Sequence, residues 1–167
     1  MLKFIRIISV VLLIACMVFV FCMSSQNATE SSGTSGRVIR LVLKLVYPNF
    51  EELSSEEVAE LIASMQFVIR KGAHFSIYAV MGFLSFLSVG TYNVIPFKFR
   101  LLISSLICLL YSISDEIHQT FIPGRSGELR DVCIDFCGSL LAITLMCLVV
   151  RFSKNRFINK YFKGRSQ

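Results

Sequence analysis

Residues 101–125, LLISSLICLLYSISDEIHQTFIPGR, begin with fourteen residues that carry no charge and then bring together two acids, a histidine, a glutamine and an arginine. A helix rises about 1.5 Å per residue, and roughly 17 to 25 residues cross a hydrocarbon core. The stretch 101–120 therefore predicts a membrane span, and so do 4–23, 73–90 and 132–150. Composition agrees: 167 residues that are 54% hydrophobic and 17% charged leave too little polar surface to clothe a soluble globule. The mean hydropathy is +0.68. The predicted fold is all-α, a single-domain integral membrane four-helix bundle.

Basic residues near span ends resist translocation, whereas acids count for little. With the N-terminus inside, the inner segments hold Lys3, Arg6, Lys98, Arg100 and a tail, 151–167, with Arg151, Lys154, Arg156, Lys160, Lys163 and Arg165. Those are ten basic residues and no acid; the outer segments take the other seven and all eleven acids. The expectation is an N-in, C-in membrane protein whose basic tail meets anionic inner-leaflet lipid. No aromatic-interleaved basic motif accompanies the tail, so nucleic acid is not an expected partner. The first span competes with a signal peptide, but its apolar run from Ile7 to Met23 is long and the small-residue cleavage pattern is poor. All six cysteines fall within predicted spans, which argues against a secreted disulfide framework.

The outer segment 24–72 opens with SSQNATESSGTSG, whose Ser and Gly content predicts a loop. In RVIRLVLKLVYP, Val38, Leu41, Val42, Leu45 and Val46 recur at helical spacing opposite Arg37, Arg40 and Lys44. That predicts an amphipathic helix over 37–46, lying on the outer membrane surface and ended by Pro48. A second helix starts at Ser54, which forms a capping box with Glu57, and runs to Arg70 and Lys71 at the mouth of the second span.

Polar chemistry gathers at the outer ends of three spans. Arg70, His74 and Tyr78 form one stripe at i, i+4 and i+8; Asp131, Asp135 and Gly138 form another. The third span offers Asp115, Glu116, His118 and Gln119, followed by Arg125. Ionisable groups at membrane depth are costly unless they face protein or a wet cavity, so the cluster marks a candidate site. The competing reading is structural: Arg70, Arg125 and Arg130 neutralise the four acids while Gly138 and Ala142 let helices pack closely.

The ordered set Ser24-Ser25-Gln26, Arg70-Lys71-x-x-His74 with Tyr78, Asp115-Glu116-x-x-Gln119, Pro123-Gly124-Arg125, and Asp131 with Gly138 resembles the VanZ-like family over about residues 20–145. One departure is Asp135, where the family more often carries Asn. The resemblance implies a small bacterial membrane protein of the cell envelope. It also implies a link to resistance against the lipoglycopeptide teicoplanin, by a route that does not remodel the peptidoglycan precursor.

Three functions follow as expectations. The first is an enzyme on a lipid or lipid-linked phosphate, with Asp115 or Glu116 as general base and His74 as proton partner. Arg70 and Arg125 would then hold the phosphate, with Lys71, Tyr78, His118, Gln119, Asp131, Asp135, Ser25 and Gln26 lining the site. The second is a non-catalytic protein that binds or shields lipid, lipoglycopeptide or an envelope partner, and the third is a lipid transporter. Asp115-x-x-His118 offers two donors on one helix face, with His74, Glu116 or Asp131 as further ones. Such mixed donors arise often by chance, so no metal is assigned and no cofactor identified.

Overall fold

The computed structural model describes residues 2–92, 94–154 and 162. Most of the basic tail, residues 155–161 and 163–167, lies outside them. Among the described residues the fold is all-helical: α1 (Leu2–Ser24), α2 (Ala28–Val46), α3 (Ser55–Gly90), α4 (Phe97–Gln119) and α5 (Leu129–Phe152). A short 3-10 turn, Phe50–Glu52, links α2 to α3. Helices α1, α3, α4 and α5 are long and apolar enough to cross a membrane. Their outward faces are apolar as well: Phe4, Val11, Val18, Leu102, Leu110, Leu145 and Val149 are all exposed. Hydrocarbon is the solvent that suits such an exterior.

The predicted loop at residues 28–36 is helical instead. Asn27 caps α2 by accepting the Glu30 N–H, and the Glu30 side chain accepts the Asn27 N–H in return. Thr34 and Ser35 satisfy their hydroxyls on carbonyls one turn back, Glu30 and Ser31. Gly36 then brings α2 close to Ile62, while the Gln66 amide donates to Ser32 O and Ser35 Oγ at 3.0 Å each. The small polar residues that suggested a loop are the contact face of this helix. Ile39 and Leu43 are its buried residues, and Leu41, Leu45 and Val46 stay exposed.

The second span and the helix before it are one element. Ser54 and Glu57 form the expected capping box, and no proline interrupts the 36 residues that follow. At about 1.5 Å per residue this helix is roughly 54 Å long, far beyond the ~30 Å of hydrocarbon. Its N-terminal portion, with Glu56, Glu57 and Glu60, therefore extends past the apolar layer, and α2 packs beside it.

Helix α3 touches each of the other helices, and its contact with α5 is the closest. A Cβ on Gly82 would lie 2.5 Å from Ser139 O, and one on Gly138 would overlap Phe75 O. The Ser139 hydroxyl donates to Tyr78 O at 3.0 Å. Small residues let the backbones meet where neighbouring helices must supply the packing energy. At the opposite end, Arg6 donates to Thr91 O and Oγ1, and buried Arg100 donates to the carbonyls of Gly90, Ile95 and Phe162. These cations sit where the α3 dipole is negative.

Two glycine-to-alanine changes separate packing from propensity. Gly138→Ala pushes α3 from α5 and should sharply lower the folded yield. Gly72 has nothing within 4 Å of its missing Cβ, so Gly72→Ala should gain about 0.5–1 kcal/mol of helix stability. Thermal unfolding in detergent checks both, and equal effects of one sign would contradict the packing described.

Candidate functional site

The site lies where α3, α4 and α5 end their apolar stretches beneath the 120–128 connection. Gln119, at the end of α4, organises it. Its amide nitrogen donates to Asp115 Oδ2 and Glu116 Oε1, both at 3.3 Å, and its carbonyl accepts from Arg125 Nη1 at 3.0 Å. Ser24, the last residue of α1, donates to Asp115 Oδ2 at 3.0 Å. The Glu128 N–H donates to Glu116 Oε2 at 2.9 Å, so this carboxylate fastens the start of α5. Gly124 holds the left-handed φ of 75° that the turn requires, with its missing Cβ only 3.0 Å from Ala28.

The charges do not pair as the structural reading expected. Asp131 pairs with Lys71 rather than an arginine, Glu128 pairs with Arg130, and Asp135 faces His74 with 3.6 Å between Oδ1 and Nδ1. Arg70 and Arg125 have no carboxylate within ion-pair distance among the described residues. They act on each other: burial first, then the Arg70 charge, lowers the pKa of Arg125, against the pull of Asp115 and Glu116. Arginine stays protonated through such a shift, so two cations share the space.

That space is a pair of pockets with a common wall. One, of about 220 Å³, is polar and lined by Arg70, Lys71, Gln119, Arg125, Ser126 and Asp131 among others. The other, of about 190 Å³, lies toward α2 and is largely apolar, with Met23, Val38, Ile69, Ala73, His74 and Gln26 in its lining. Arg70 and Arg125 line both.

Of the residues singled out in the sequence, Arg70, Lys71, Gln119, Arg125 and Asp131 meet in the polar pocket, and His74 and Gln26 in the apolar one. Asp115, Asp135 and Tyr78 are buried below, Tyr78 beside both acids. His118 and Ser25 are elsewhere. The His118 ring stacks on Phe21 at 4.5 Å and shares a 3.1 Å hydrogen bond with Ser25, so the pair ties α4 to α1. The donor pairing Asp115-x-x-His118 is therefore not formed; the group that converges is His74, Asp115 and Asp135. Ser24 was missed as a site residue, although a serine ending an apolar run next to a predicted acid cluster was a usable signal.

Four apolar helices with a polar site at one end define a multi-pass membrane protein. The chain belongs to the VanZ/LLP1 family, whose model matches residues 9–151. Comparison with curated proteins and with solved structures gave no match.

The Glu116 clasp makes a prediction for the connection alone. Glu116→Ala orphans the Glu128 N–H, which costs about 1–3 kcal/mol locally. Amide exchange across 120–130 should rise by an order of magnitude or more while the mid-helix amides of α3 stay protected. Unchanged exchange at 128 would show that the carboxylate does not hold the turn.

Proposed function

We propose that this protein binds the phosphate of a lipid or lipid-linked substrate at the outer face of the bacterial cell membrane. The observation that carries the reading is the pair of arginines, Arg70 and Arg125, that share one wall of two pockets and lack carboxylate partners among the described residues. Two guanidinium groups lining the same pockets repel one another, an anion between them offsets that repulsion, and their planar forks suit phosphate. The polar pocket takes the head group, and the apolar pocket beside α2 takes the start of the chain.

The orientation in this reading is N-in and C-in, with Arg6 and Arg100 at the cytoplasmic end. The exposed apolar residues of α2, Leu41 and Leu45, lie beside the part of α3 that extends past the apolar layer, so they suit contact with an envelope partner more than a helix resting on the outer surface. Glu116 is engaged by the Glu128 N–H, which makes it a fastening for the connection rather than a free base. A second reading rests on the apolar pocket: holding a fatty chain without turnover would let the protein intercept a lipoglycopeptide, consistent with the envelope role that the family resemblance implies.

Binding is tested with purified protein and two defined probes, a short-chain phosphatidic acid and a polyprenyl phosphate, with a short-chain diacylglycerol as the phosphate-free control. Arg70→Gln and Arg125→Gln should each weaken binding of the phosphate monoesters about tenfold, equivalent to about 1.4 kcal/mol. Equal affinity for all three lipids, or arginine variants that bind as the parent does, would sink the proposal. In cells, the second reading predicts that Arg125→Gln abolishes any protection against teicoplanin while vancomycin susceptibility does not move. Parallel shifts for both drugs would oppose it.

A further inference from the structure

Below the arginines, α3, α4 and α5 each contribute one side chain to a common point. His74, Asp115 and Asp135 have donor atoms that all lie within 4.8 Å of one another. The cluster holds buried polar atoms that make no hydrogen bond of ordinary length among the described residues. Asp135 is 1% exposed, and neither of its carboxylate oxygens accepts a hydrogen bond of ordinary length; its nearest charged neighbour is His74, whose Nδ1 stands 3.6 Å from Oδ1. Asp115 is 3% exposed; Ser24 and Gln119 both donate to Oδ2, which leaves Oδ1 without a donor. The Tyr78 hydroxyl is fully buried beside the two acids without a hydrogen bond of ordinary length.

Buried carboxylate oxygens without donors are rare because each forfeits its hydration. Here two such carboxylates and an imidazole each bring a donor atom to one point from helices in distant parts of the chain. We infer that His74, Asp115 and Asp135 form a site for one divalent transition cation, Mn²⁺ or Zn²⁺. One nitrogen and two carboxylate oxygens suit these ions; an all-oxygen set would favour Ca²⁺ or Mg²⁺. With bonds of about 2.1 Å, the ligands of one ion stand roughly 3–4 Å apart, so small side-chain rotations close the observed spacing. Water completes the coordination. The inference stands on these three helices and not on the lipid reading.

The test uses the full-length protein in detergent, stripped by chelator. Mn²⁺ titration followed by electron paramagnetic resonance, and Zn²⁺ titration by calorimetry, should each show one saturable ion per chain. Asp135→Asn and His74→Gln should weaken binding by at least about 10–100-fold, while Glu60→Gln, an exposed remote acid, leaves it unchanged. Pulsed resonance on Mn²⁺-loaded parent protein should detect coupling to an imidazole nitrogen, a readout that needs no variant to fold. Absence of saturable binding for both ions, absence of that coupling, or an Asp135→Asn protein that binds like the parent overturns the site. Every readout is free of lipid, so failure of the phosphate reading would leave this result intact, and the reverse holds too.

Discussion

The structure depends on how closely α3 and α5 approach. Gly138 lets the α5 backbone meet the carbonyl of Phe75, and Gly82 meets Ser139 from the other side. His74 precedes Phe75 by one residue, and Asp135 lies three before Gly138, so the contact that joins the helices also sets the histidine against the acid. A separation of one methyl group would move the two apart. In a bilayer the lipid tails are as apolar as leucine, so this packing, together with interhelical hydrogen bonds, is the available glue.

From that contact outward the polar groups form a graded sequence. Deepest are Tyr78, Asp115 and Asp135, with oxygens that lack donors. Above them Gln119 links the acids to Arg125, and at the rim Lys71 and Asp131 pair where both are partly open to solvent. The acids left over by this pairing lie deep and the two uncommitted arginines lie shallow. That separation of charge distinguishes the site from an ion-pair network, which would have matched Arg70 and Arg125 to the carboxylates nearest them. It favours a cation below and an anion above, the arrangement in which both sets of groups find partners.

Much of the fold was legible in residue periodicity and composition. The four apolar segments, the capping box at Ser54 and Glu57, and the gathering of Arg70, Asp115, Glu116 and Asp131 at one end follow from helix geometry alone. Residues 28–36 were not legible, because serine and glycine have low helix propensity and only the facing surface of α3, with Ile62 and Gln66, makes them a helix. Nor could spacing tell which acid meets which cation. His118 lies three residues on from Asp115, only about 60° round the helix, yet its ring stacks on Phe21 and meets Ser25, contacts that spacing within α4 does not reveal. Asp135, noted in the sequence as a departure from the VanZ-like pattern, proves to be one of the most buried acids.

The central claim is that Arg70 and Arg125 together hold a phosphate. Solid-state NMR recoupling between ³¹P of a bound phosphate lipid and ¹⁵N of labelled arginine guanidinium groups tests it without a mutation in the protein. The account predicts dephasing from two arginine side chains at hydrogen-bonding range, which single Arg70→Gln and Arg125→Gln samples then assign to these residues. A phosphorus signal that senses no guanidinium nitrogen, or one held by lysine alone, would contradict it.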